Sequence, residues 1–145
     1  MYNTTTIYHL QANNKTAENL QVLHSQVLCE RLSYLETVSF KKICSFPLNL
    51  NEEDDEAFLE YAFDVTNTHS RNNSLNEWYE KLQMYFDFYS GSAGDIYIIE
   101  KEDNSFSGYL CLPNGWQHIA IQPIQHMLKD AISYVDSMKL IGEKN

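Results

Sequence analysis

Residues Asp95 to Ile121, DIYIIEKEDNSFSGYLCLPNGWQHIAI, decide the fold. Three apolar segments, Ile96-Tyr97-Ile98-Ile99, Tyr109-Leu110-Cys111-Leu112 and Trp116 to Ile121, alternate with Glu102-Asp103-Asn104-Ser105 and Pro113-Asn114-Gly115. The separators have the composition of hairpin turns, because Asn, Asp and Gly tolerate the backbone angles that a tight reversal needs. The stretch therefore predicts an antiparallel meander over 95–121. Such a sheet must bury an apolar face, and the flanking sequence offers helices to cover it.

Immediately upstream, Ser90-Gly91-Ser92-Ala93-Gly94 lacks the Lys and the spacing of a phosphate-binding loop and reads as a helix stop followed by a turn. Before it, Ser74-Leu75-Asn76-Glu77 is a capping-box pattern. Leu75, Trp78, Tyr79, Leu82, Tyr85, Phe86 and Tyr89 then recur at helical spacing. Asn67 to Asn73 is polar and reads as a loop. Asn51 is a plausible N-cap for another helix, whose first-turn acids suit the positive end of the helix dipole.

Towards the N-terminus, Thr4 to Leu10 reads as a first or edge strand. Thr16 offers an N-cap for a long helix ending near Glu36, with Leu20, Leu23, Val27, Leu28, Leu32 and Leu35 on one face. Val38 to Phe46 is strand-like and closed by Pro47. Beyond the meander, Pro123 followed by Ile124, Met127, Leu128, Ala131, Ile132, Val135 and Met138 predicts a C-terminal helix. The expected architecture is α+β: an antiparallel sheet packed with about four helices. At 145 residues, without repeats or a linker, the chain has the length of a single domain, residues 1–145. Its 10 Tyr, 7 Phe and 2 Trp argue against disorder.

The net charge of −10 is confined to the middle of the chain. From Asn51 to Asp103 there are 14 acidic residues against 3 basic ones, a balance of −11, while the flanks together come to +1. Such a surface repels phosphate backbones, and Lys41-Lys42 is the only adjacent basic pair, so direct nucleic-acid binding is not expected. The first 15 residues show no secretion signal, and no apolar run approaches the roughly 18 residues that cross a bilayer. Cys29, Cys44 and Cys111 are odd in number and set among apolar residues, which suits buried free thiols in a reducing compartment. These features lead us to expect a cytoplasmic protein without a membrane association.

Chemistry-bearing patterns are sparse, and neither a catalytic, a metal nor a cofactor site is expected. His9, His24, His69, His118 and His126 do not pair at zinc-ligand spacing. His24 falls among Leu20, Leu23 and Val27 and reads as a core residue, and His126 pairs with Asp130 on a polar face. His69, beside Ser70 and Arg71, has no recognisable base or nucleophile next to it. The Glu52–Glu56 run lacks the Gly-punctuated alternation of a calcium loop.

The two central helices give the more specific expectation. In the first, Phe58, Tyr61, Ala62 and Val65 form a core face, which leaves Leu59 and Phe63 among Glu52, Glu56 and Glu60. In the second, Leu75, Trp78, Leu82, Phe86 and Tyr89 form the core stripe, with Met84 and Phe88 opposite, near Glu77, Glu80 and Lys81. Glu52, Glu53, Asp54, Asp55, Glu56, Leu59, Glu60, Phe63, Glu77, Glu80, Met84 and Phe88 are the expected partner-binding residues. Apolar anchors ringed by carboxylates suit a basic protein partner, the anchors supplying affinity and the charges hastening encounter.

In size, acidity and α+β pattern the whole chain resembles the immunity proteins that bacteria make against secreted toxins, including those of contact-dependent inhibition systems. That resemblance implies a cytosolic inhibitor, not an enzyme, that neutralises a basic nuclease toxin domain by covering its active site or an adjacent surface. A secretion-chaperone-like or adaptor protein is the alternative, and an enzyme with an unrecognised site is the third reading.

Overall fold

The computed structural model describes residues 4–120, apart from 17, 30–33, 36–37, 50–53, 68–73 and 87. In chain order these form β1 (Thr4–Ala12), α1 (Leu20–Cys29), β2 (Phe40–Asn49), α2 (Asp55–Thr66), α3 (Ser74–Phe86), β3 (Ile96–Glu100), β4 (Phe106–Cys111) and β5 (Trp116–Ile119). The expected C-terminal helix from Pro123 lies outside the described residues.

One sheet holds all five strands in the order β2-β1-β3-β4-β5, and every neighbouring pair is antiparallel. The consecutive strands β3, β4 and β5 are therefore extended on one side by β1 and β2. Two expectations change here. β1 is an interior strand, with Ile7 on Ile99 and on Phe46, because its side chains are buried on both faces. Pro47 does not close β2, which runs on to Asn49; β2 lies at an edge of the sheet, where the missing N–H of a proline is tolerated.

Helices cover both faces. On one, Leu10, Ala12, Phe40, Ile96, Ile98, Leu110 and Ile119 pack under Leu23 and Val27 of α1 and under Tyr34. On the other, Ile7, Phe46, Leu48, Tyr97, Ile99 and Cys111 pack under Phe58, Leu59, Ala62 and Val65 of α2 and Trp78, Tyr79 and Leu82 of α3. This explains the unbroken apolar run of β3: with both faces covered, Ile96, Tyr97, Ile98 and Ile99 are all fully buried. Burying one such side chain stabilises the fold by about 1.5–3 kcal/mol.

Helix starts lie a few residues beyond their expected positions. Thr16 and Asn19 exchange hydrogen bonds, the Asn19 amide donating to Thr16 Oγ1 at 3.2 Å and the Thr16 amide to Asn19 Oδ1 at 2.8 Å. This reciprocal pair is a capping box in which Thr16 caps the turn leading into α1, and the Asn19 carbonyl then accepts the helical bond from Leu23. α1 is described as far as Cys29, and Tyr34 and Leu35 are helical; the residues between and just after them, and with them the expected helix end near Glu36, lie outside the described residues. For α2 the cap is Asp54 in place of Asn51: its backbone is extended and its carboxylate accepts from the Glu56 amide at 3.1 Å.

A further correction concerns α3, which stops at Phe86 rather than continuing through Tyr89. Once the helix ends, its periodicity no longer dictates which side chains turn inward. Phe88 enters the core against Tyr79, while Phe86 and Tyr89 stay partly in solvent. The following connection is held by short residues. Gly91 donates its amide to the Thr66 carbonyl at 2.7 Å, and a Cβ there would collide with Thr66 Oγ1 and the Tyr97 hydroxyl. Gly94 adopts φ +98°, a left-handed conformation that favours glycine.

Candidate functional site

The acidic start of α2 meets aromatic side chains from β4 and β5, and the groove between them is the candidate site. Strand alternation and register put Tyr109, Trp116 and His118 on the sheet face that α2 covers. Asp54, Asp55, Glu56, Leu59, Tyr109 and Trp116 line one cleft of about 290 Å³. Glu60, Phe63, Cys111 and the Pro113–Gly115 turn line an adjoining cleft of about 170 Å³, which shares Trp116 with the first.

Hydrogen bonds fix this geometry. Tyr109 donates its hydroxyl hydrogen to Asp55 Oδ2 at 2.6 Å, and Lys101 Nζ lies 2.9 Å from Asp55 Oδ1. Trp116 donates its indole N–H to Glu60 Oε1 at 3.0 Å. The same indole ring meets Phe63 edge-on at 6.2 Å and Tyr97 edge-on at 5.4 Å. Asp55 and Glu60, both on α2, are thus each tied to an aromatic ring of the sheet.

Electrostatics keep the groove anionic. Partial burial works to raise the Asp55 carboxyl, but the bonds from Tyr109 and Lys101 outweigh it and hold the group below its usual range. Tyr109 is pushed up to about 12, by burial first and by its bond to Asp55 second, so it stays a donor. Burial likewise raises the Cys111 thiol to about 12, which makes it a poor nucleophile at neutral pH. Asp54, Glu56 and Glu60 are exposed. The surface therefore presents carboxylate oxygens beside flat aromatic rings, groups that are able to interact with a Lys or Arg side chain by charge and by cation–π contact. Among the described residues, no group of three or more His, Cys, Asp or Glu is arranged to hold a metal ion. No helix of the described residues is long and apolar enough to cross a membrane.

Ten of the twelve expected partner-binding residues separate into three sets. Asp54, Asp55, Glu56, Glu60 and Phe63 come together in the groove. Glu77, Glu80 and Met84 are exposed on α3, which packs Trp78 on Phe46 and Tyr79 beside His9, over β2 and β1 rather than β4 and β5. Glu52 and Glu53 lie outside the described residues.

Two expected anchors are corrected. Leu59 is 1% exposed and Phe88 9%, and both belong to the core under the sheet. Leu59 is inward because the buried face of α2 is centred on Phe58, Leu59, Ala62, Val65 and Thr66, which leaves Tyr61 outside at 39%. Phe63 is half-buried, its inner edge against Trp116. Tyr109, Trp116 and Lys101 were not among the expected residues. The signal for the two aromatics was the strand period, which places Tyr97, Tyr109, Trp116 and His118 on one face. Their meeting with an acidic helix depends on which face α2 covers.

Comparison with protein-family models, with curated proteins and with solved structures finds no match to this chain.

Proposed function

We propose that this chain is a binding protein whose acidic, aromatic-lined groove receives basic side chains of a protein partner, as an immunity protein would receive a nuclease toxin domain. The observation that carries the reading is the pairing of Asp55 with Tyr109 and Glu60 with Trp116, next to the exposed Asp54 and Glu56. Rings held at fixed angles lose little freedom on binding, and an Arg stacked on an exposed ring gains about 0.5–1 kcal/mol. The carboxylates act earlier, by raising the encounter rate some 10–10³-fold. On this reading the protein works in the cytoplasm and carries out no reaction. A basic C-terminal domain of a secreted protein encoded beside this chain is the probe. Retention in a pull-down, with suppression of the domain's nuclease activity, supports the proposal; a domain that remains unbound and fully active contradicts it.

A chaperone-like or adaptor role is the second reading, favoured by Met84 at 84% and Phe86 at 44% exposure towards the end of α3. Such proteins work as dimers with apolar grooves. Light scattering separates the two readings: a stable homodimer favours the chaperone, a monomer the inhibitor.

A further inference from the structure

Away from the groove, a cluster of ionisable side chains is sealed between the sheet and α3. His9, Lys15 and Asp95 are 0%, 4% and 1% exposed. His9 Nε2 lies 2.8 Å from Asp95 Oδ2, and Lys15 Nζ lies 3.1 Å and 3.2 Å from the two Asp95 oxygens. The Ser92 amide donates to Asp95 Oδ2 at 3.2 Å. A carboxylate can only accept, so His9 carries its hydrogen on Nε2. Its Nδ1 then accepts from the Tyr79 hydroxyl at 3.0 Å, and its ring stacks on Tyr97 at 4.6 Å. Among the described residues, the other titratable groups near this cluster are Cys44, opposite His9 on β2, Cys111, opposite Trp116 on β4, and Tyr34, whose hydroxyl donates to the Gly94 carbonyl at 2.9 Å. With His9 neutral, Asp95 and Lys15 balance.

The same side chains hold the connection between α3 and β3. Lys15 Nζ donates to the Ser90 carbonyl at 2.7 Å, and Gln11 Nε2 donates to the Tyr89 carbonyl. Gln83 donates to the Phe88 carbonyl at 3.3 Å. Phe88 to Gly91 has no helix or strand of its own, so these side chains do for its carbonyls what a ladder does elsewhere. The closure is incomplete: Gln11 Oε1 and Ser92 Oγ are buried without a hydrogen-bond partner. Opening would let water satisfy both, which lowers the cost of releasing this segment relative to the sheet.

We propose that the cluster is an acid-operated latch, in which a proton taken up by His9 makes Lys15 redundant as the counterion of Asp95 and expels it, freeing the Phe88–Asp95 connection while the sheet stays folded. The charge balance requires an exchange of this kind. Protonated His9, Asp95 and Lys15 together would bury one uncompensated positive charge, and breaking that balance inside a protein is costly. Of the two cations, Lys15 is the one that can leave. It sits on the turn after β1, whereas His9 is fixed in an interior strand by Ile7 and Leu10 on either side. Departure of Lys15 restores neutrality and removes the bond to Ser90. Burial already holds His9 below the usual histidine range, with Asp95 acting against that shift.

The test follows histidine ring signals and amide exchange by NMR on the full chain between pH 7.5 and about 5, after correction for the intrinsic pH dependence of exchange. The latch predicts that Gly91 and Ser92 lose protection by up to about tenfold per pH unit as His9 titrates, while Ile98 and Leu110 keep theirs. In Lys15→Met the His9 titration moves upward and the two loop amides are already poorly protected at pH 7.5. His9→Gln keeps a donor towards Asp95 but cannot titrate, and its loop protection is independent of pH. Simultaneous loss of protection in loop and sheet would overturn the latch. So would an unshifted His9 titration in a folded Lys15→Met, or a His9→Gln protein whose loop responds to pH as the wild type does. Should Lys15→Met fail to fold, the wild-type and His9→Gln comparison decides.

Discussion

Tyr109 and Asp55, 54 residues apart in sequence, meet at 2.6 Å and fasten the first turn of α2 to the middle of β4. The bond aligns the helix with the sheet and leaves the neighbouring carboxylates of Asp54 and Glu56 facing solvent. Tyr109→Phe removes the donor and keeps the ring. A hydrogen bond to a charged but partly exposed carboxylate contributes about 1 kcal/mol, and urea unfolding of the variant should show a loss of that size.

The pH dependence of that loss follows from the direction of the Asp55 shift. A carboxyl held below its usual value in the folded protein contributes stability above the unfolded value of about 3.9, and that contribution is lost as pH falls through the lower folded value. Wild type and Tyr109→Phe should therefore differ most at neutral pH and converge in acid. Equilibrium unfolding across that range measures it.

Gly91→Ala tests the packing of the connection after α3. The added Cβ meets Thr66 Oγ1 and the Tyr97 hydroxyl, which bond each other at 2.7 Å. Overpacking of this kind costs about 1–3 kcal/mol. A lowered urea midpoint with an unchanged slope is the expected result.

The two tryptophans report on different places. Trp78 is 3% exposed in the core, whereas Trp116 stands at the mouth of the groove. Acrylamide should quench the Trp116 emission strongly and that of Trp78 weakly. Trp116→Phe should remove the quenchable component, and a bound basic partner should protect it.

Particular residues show how far the chain can be read without its structure. The turns at Asp103–Ser105 and Asn114–Gly115 announce the hairpins because their chemistry is local. Asn104 and Gly115 do adopt positive φ, at 66° and 94°. The placement of β1 beside β3 is a pairing across 90 residues and leaves no local trace. For α2 the apolar pattern was ambiguous: Leu59 and Tyr61 are both apolar enough to face inward, and the choice fell to the sheet it packs on. The groove was legible as carboxylates and missed as aromatics, since Tyr109 and Trp116 become part of it only when α2 crosses β4 and β5. His9, Lys15 and Asp95 are spread over 86 residues, and nothing in their immediate neighbours signals that they share one buried site.

The most direct measurement of the groove's role compares two double variants that remove the same charge from different faces. Glu56→Gln/Glu60→Gln alters the groove, and Glu77→Gln/Glu80→Gln alters α3. A lysine-rich peptide is mixed with each protein in a stopped-flow instrument over a series of salt concentrations, with Trp116 fluorescence as the signal. A binding groove predicts slower association and a flatter salt dependence for Glu56→Gln/Glu60→Gln, with Glu77→Gln/Glu80→Gln close to wild type. Equal slowing by the two variants, or no slowing by either, would contradict it.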